Sequence, residues 1–154
     1  MRKAMAFGLL LVAGLFGGTA TARASDESIR EVVITHGQRQ IDEDKRFLKA
    51  MSKLNTRKQK VKAKAAAGRQ ASSVKQWRNA LAAEVADTEP IAAGQKTMIN
   101  ALNLYIKGLR RLTKGLNLSL KNGGNSGVKE AKRALKNMRT AAKRAGQAAE
   151  IIVG

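Results

Sequence analysis

Few residues in this chain have the types and spacing that chemistry demands. His36 is the only histidine and there is no cysteine. No carboxylate stands three or four residues from His36; Glu43 is seven positions on, two turns away along a helix. A lone imidazole with no partner one turn away does not make a zinc site. Asp42, Glu43 and Asp44 are consecutive, so on a helix they point in different directions and do not converge on calcium. A nucleophilic triad would need His36 to meet a serine such as Ser72 or Ser119, and neither sits in a strained nucleophile turn.

The carboxylates are poorly placed for general acid and base work. Of the eleven, six lie between Asp26 and Asp44, and Glu84, Asp87 and Glu89 flank a helix boundary where capping accounts for them. The glycine-rich stretch from Asn122 to Gly127 precedes a helix, whose first N–H groups can hold phosphate. It lacks the preceding strand and the Gly-Lys-Ser/Thr ending of a nucleotide loop and reads as a connection. The expectation is a protein that is not an enzyme and has no metal, no cofactor and no small-molecule substrate.

What remains is positive charge. The chain carries 30 Lys and Arg against 11 Asp and Glu, a net charge of +19. Lys45 to Ala83 contains twelve basic residues and no carboxylate, so the acids that usually alternate along a solvated helix face are missing. Within it Arg46, Lys49, Lys53, Arg57, Lys60 and Lys64 recur at steps of three and four, which predicts one basic stripe. Lys107, Arg110, Arg111 and Lys114 continue the series, followed by Lys132, Lys136, Arg139 and Lys143. These fourteen are the candidate polyanion-binding residues.

Such an imbalance attracts polyanions without favouring any fold. The partner expected first is an anionic polymer or surface of the cell envelope or extracellular space, engaged through Lys and Arg helix faces. The second reading is a structural or protein-interaction bundle, pairing with itself or with a partner helix, for which the charge serves solubility alone. An Ala-rich final stripe, which buries little area, would then leave room for that partner. Nucleic acid fits the charge, but Phe47, Trp77 and Tyr105 all fall on apolar stripes and leave no exposed stacking rings. A membrane surface stays open because Ile99 to Lys121 mixes leucines with cations as interfacial helices do.

The elements that must position these residues are helices. Met98, Leu102, Tyr105, Leu109, Leu112, Leu116 and Leu120 recur at threes and fours along one side of a helix entered at Asp87-Thr88-Glu89-Pro90 and running to about Leu120. Beyond the glycine-rich turn, Val128, Ala131, Leu135, Met138, Ala142, Ala145, Ala149 and Ile152 repeat the rhythm. Similar lengths and a short loop predict an antiparallel hairpin of coiled-coil type. Upstream, Ile29, Val32, Val33, Ile41, Phe47, Leu48, Met51, Leu54, Val61 and Ala65 predict an apolar helix side. Val74, Trp77, Leu81 and Val85 predict another, on a helix ending near Ala86 with Trp77 in the core. Gly68 marks the expected interruption between the two, the alternative being one long helix through it.

The first stretch is set apart. Arg2 and Lys3 precede an uncharged, mostly apolar run, and Ala22-Arg23-Ala24 offers small residues at the positions a signal peptidase inspects. The expectation is a signal peptide over residues 1–24, cleaved after Ala24, and a secreted or envelope protein, periplasmic or extracellular. A retained anchor is the alternative. Removing Arg2, Lys3 and Arg23 with the leader leaves +16 on residues 25–154, expected to be a single basic domain. The fold class is all-α, a three- or four-helix bundle built on the C-terminal antiparallel hairpin.

Overall fold

A computed structural model describes residues 24–123 and 125–154. The expected signal peptide falls almost wholly outside these residues. Four helices follow one another: α1 (Ala24–Met51), α2 (Arg57–Ala83), α3 (Glu89–Asn122) and α4 (Val128–Val153). They make an all-α bundle in which α3 packs chiefly on α4, then on α2; α1 packs on α2 and only lightly on α4. Among the described residues no helix is long and apolar enough to cross a membrane.

Side-chain bonds fix the sense of each helix. At one end Ser28 donates to Glu84 Oε2 at 2.6 Å, and Arg30 Nε donates to the Ile152 carbonyl at 3.0 Å. The start of α1 therefore lies beside the ends of α2 and α4. Gln95 Nε2 donates to the carbonyls of Leu81 and Glu84 at 2.7 and 2.8 Å, covering acceptors that the end of α2 leaves without helical partners. At the other end Lys60 Nζ donates to Ser119 Oγ at 2.8 Å, joining the start of α2 to the end of α3. The chain runs up, down, up, down.

The break between α1 and α2 is not at Gly68. It is at Ser52–Thr56, and α2 continues through Gly68. The cause is a capping box: Gln59 N–H donates to Thr56 Oγ1 at 3.2 Å, while Gln59 Oε1 accepts from Thr56 N–H at 3.0 Å. Two otherwise orphaned donors are satisfied at once, which offsets the loss of helical bonds at this point. Gly68 costs helix propensity only. Restarting the helix resets its phase, so Val61 is 50 % exposed and Ala65 is exposed instead of extending the apolar side of α1. Val85 is 74 % exposed because α2 ends at Ala83. Trp77 is buried between helices as expected.

In α3 the stripe from Met98 to Leu116 is buried as its spacing predicted, with Leu120 half-buried. In α4 Met138, Ala149 and Ile152 are buried as their spacing predicted, but the buried line is rotated: Ala134, Ala141 and Ala148 are buried too, while Leu135 and Ala142 are half-buried and Val128 is 44 % exposed. Close approach explains the rotation. Small residues occur every seventh position on α3, at Gly94, Ala101, Gly108 and Gly115, and again at Gly127, Ala134, Ala141 and Ala148 leading into and along α4. A β-carbon placed on Gly94 would lie 3.4 Å from the Ala148 carbonyl oxygen, and one on Gly108 would lie 3.1 Å from that of Ala134. Each step of seven up α3 is a step of seven down α4. That spacing is the coiled-coil repeat, and it keeps the contact line on one face along the whole pair.

Candidate functional site

Antiparallel folding collects charge that the sequence spreads out. A plane across the bundle near Gln40, Ala71, Tyr105 and Asn137 separates two poles. The pole carrying the α1–α2 and α3–α4 connections, residues 40–71 and 106–136, holds nineteen Lys or Arg and four carboxylates. The other described residues hold eight and seven. Nearly all the excess charge therefore sits at the loop pole.

Three of the four carboxylates there form ion pairs: Lys45 with Asp42 at 3.4 Å, Arg46 with Glu43 at 3.0 Å and Arg133 with Glu130 at 3.6 Å. The fourth, Asp44, is buried. Among the described residues the remaining basic side chains of this pole have no carboxylate within 4 Å. Partners from solution are what would neutralise them.

Twelve of the fourteen candidate residues lie at this pole. Arg46 and Lys49 are on the last turns of α1, Lys53 is in the connection, and Arg57, Lys60 and Lys64 are on the first half of α2. The expected stripe is thus divided between two antiparallel helices rather than running along one. Lys60 is half-buried and engaged by Ser119. Lys107, Arg110, Arg111 and Lys114 lie on the second half of α3, and Lys132 and Lys136 on the first half of α4. Arg139 and Lys143 fall beyond the plane, towards the other pole. The fourteen candidates leave out Lys45, Lys58, Lys62, Arg69, Lys121, Lys129 and Arg133, all at the loop pole.

The register of α3 against α4 arranges part of this pole in two rows. On α3 the line of small residues separates the buried side, with Met98, Tyr105 and Leu112, from Lys107, Lys114 and Lys121. On α4 Lys129 and Lys136 stand off the buried line of Ala134, Met138 and Ala141 in the same sense. Seven-for-seven register puts Lys107 at the level of Lys136 and Lys114 at the level of Lys129. The outer face of the hairpin carries cations on both helices.

Phe47, Trp77 and Tyr105 are all buried, so the described residues present no Phe, Trp or Tyr ring for base stacking. Among the described residues no three His, Cys, Asp or Glu side chains come together to hold a metal ion.

A second cluster is polar and buried. Asp44 of α1, 5 % exposed, accepts from Gln40 Nε2 at 3.0 Å and from Gln70 Nε2 of α2 at the same oxygen. Ser73 Oγ donates to Gln40 Oε1 at 3.1 Å, and the Tyr105 hydroxyl of α3 bonds to the Gln70 side chain. Burial pushes Asp44 up to about 6, against the lowering effect of its two amide donors and with a small further rise from Glu43. Burial, with Asp44 beside it, raises the Tyr105 phenol well above its usual range. One turn before Gln40, His36 lies parallel to Trp77 with ring centres 6.4 Å apart, and burial, helped by Arg39, lowers its imidazole. The spacing held the signal: Asp44, unlike Asp42 and Glu43, stands three residues from both Ile41 and Phe47, on the apolar side of α1, and treating the three acids as one surface run passed over it.

Comparison with protein families, curated proteins and solved structures finds no match for the chain.

Proposed function

We propose that this is a non-enzymatic binding protein that engages an anionic polymer or surface through its loop pole, outside the cytoplasm. The observation that carries the reading is the segregation of charge: nineteen basic residues against four carboxylates at one pole and near balance at the other. Charge needed only for solubility has no reason to gather at one end. The binding needs no shaped pocket, because Coulomb attraction and counterion release supply it. The proposed setting outside the cytoplasm rests on the leader-like N-terminus.

The interaction-bundle alternative drew on an Ala-rich α4 stripe short of a partner. Of that stripe's alanines, Ala149 is buried and Ala131 and Ala145 pack half-buried against the core, which weakens that motive. Exposed aromatic rings, which would favour single-stranded nucleic acid, are missing from the described residues.

A salt series on an immobilised polyanion tests the reading with residues 25–154. Retention should be firm at low ionic strength and fall steeply between about 50 and 500 mM salt, since each neutralised charge adds roughly one unit to the log–log slope. Retention that is absent at low salt, or unmoved across the series, overturns it.

A further inference from the structure

We infer that the buried Asp44 cluster is a proton-operated clasp on α1, which tightens when Asp44 takes up a proton and loosens when it gives one up. The inference stands apart from polyanion binding and uses other residues.

The geometry places the clasp at the joint that can yield. The α3–α4 pair is locked by close backbone contact along its length. By contrast, α1 packs mainly on α2, and its middle meets that helix through polar side chains: His36 against Trp77, Gln40 against Ser73, Asp44 against Gln70. Two buried atoms at this seam, Gln70 Oε1 and Trp77 Nε1, have no hydrogen-bond partner. The apolar anchors of α1, Ile29, Val33 and Phe47, lie to either side of the polar stretch.

Among the described residues no cation compensates the carboxylate. On its own helix Asp44 has Glu43 beside it, which adds to the repulsion, and no Lys or Arg forms an ion pair with it. From α2 it meets Gln70, with Ser73 one bond further through Gln40; both are neutral. From α3 it meets Tyr105, whose phenol stays protonated. From α4 no charged group acts on it. The ionised form is a buried charge held by amide dipoles alone, which is costly. The protonated form loses that cost and gains an O–H, the donor that Gln70 Oε1 lacks once its amide turns over.

The sign follows from linkage. Asp44 binds its proton at about pH 6 when α1 is docked, against 3.8 when it is free, so docking weakens as pH rises from about 4 through 6. Between pH 5 and pH 7.5 those two values give about a ten-fold change in the docking equilibrium. His36 works the other way. Its lowered imidazole favours docking while neutral, so acid weakens that contribution as pH falls through its folded value below 6.5. Because His36 is half-buried and Asp44 buried, Asp44 governs the outcome.

Hydrogen exchange of the α1 amides, read as protection factors at pH 5 and pH 7.5, tests the clasp in wild type, Asp44→Asn and His36→Gln. The expected result is protection about ten-fold higher at pH 5 in wild type. The same or a larger gain is expected in His36→Gln, and in Asp44→Asn no gain or a small loss left by His36, with α1 at least as protected at pH 7.5 as wild type is at pH 5. An Asp44→Asn chain that keeps the wild-type pH response overturns the inference. So does a carbon-detected titration of wild type that places the Asp44 carboxyl near 4, and this readout does not depend on any variant folding.

Discussion

Gly115 of α3 and Gly127 at the head of α4 meet backbone to backbone: a β-carbon on Gly115 would lie 2.9 Å from the Gly127 carbonyl oxygen. A backbone oxygen at the mouth of a turn cannot swing aside as a side chain can. Gly115→Ala must therefore move α4 away from α3, and a loss of about 2–3 kcal/mol is expected. At Gly108 the nearest atom to an added methyl is Met138 Cγ at 2.6 Å, the middle of a flexible side chain, with the Ala134 carbonyl at 3.1 Å. Gly108→Ala should cost less, about 1 kcal/mol, because Met138 can re-rotamerise and Ala is the better helix former. Thermal unfolding followed by circular dichroism ranks them. If Gly108→Ala is the more damaging, the close contact is not where it is described.

Other glycines should behave oppositely. A β-carbon on Gly68 meets nothing within 4 Å, and the residue is exposed in the interior of α2. Gly68→Ala removes backbone freedom from the unfolded chain without a clash, so a gain of about 0.5–1 kcal/mol is expected. A β-carbon on Gly37 in α1 also meets nothing within 4 Å, although that residue is half-buried. Were the chain broken at Gly68, the substitution would be neutral or harmful, so the sign of the change in melting temperature decides the point.

These glycines mark where the fold was legible and where it was not. In α3 the leucines and Met98 give a strong, single-phase pattern, and the buried face is the one the spacing names. In α4 seven alanines ring the helix, so hydrophobicity alone barely distinguishes one phase from the next. The phase is set by which alanines let α3 approach. At the α1–α2 junction Ser52 to Thr56 contains neither Gly nor Pro, and the signal is the Thr56…Gln59 pairing, visible only when capping is weighed above glycine content. Charge was legible as a total. Its pole was not, because residues 40–71 and 106–136 become neighbours only once the order up, down, up, down is fixed.

Asp26 ties the first turn of α1 to the α2–α3 connection: Oδ1 accepts from Asp87 N–H at 2.9 Å and Oδ2 from the Thr88 hydroxyl at 2.7 Å. Burial alone would raise its carboxyl, but the bonds from Thr88 and Asp87, with Arg30 nearby, outweigh that and hold it below 3.8. A depressed carboxylate adds stability above its unfolded value and loses it as pH falls through the folded one. Wild type should therefore lose stability as pH falls below about 4, while Asp26→Asn should be less stable at pH 7 and flatter in that acid range. Parallel melting curves for the two proteins from pH 7 to pH 2.5 would show that Asp26 is not the link.

Polyanion binding by location can be separated from binding by net charge. Lys107, Lys114, Lys129 and Lys136 are exposed at the loop pole; Lys75, Lys96, Lys143 and Arg144 are exposed towards the other. Replacing either set with Gln removes four charges, so the two variants have the same net charge and differ only in where it was lost. Among the described residues neither set makes an ion pair, and surface changes of this kind alter stability little. If the loop pole is the contact, the first set should lower the salt slope of polyanion retention by about three units and the affinity by at least ten-fold. The second should leave the slope within about one unit of wild type, since charges beyond a Debye length, about 8 Å at physiological salt, are screened. Equal losses from both sets would mean that the whole surface binds and that the pole has no special role. A larger loss from the second set, which includes Lys143, would place the contact at the opposite end of the bundle.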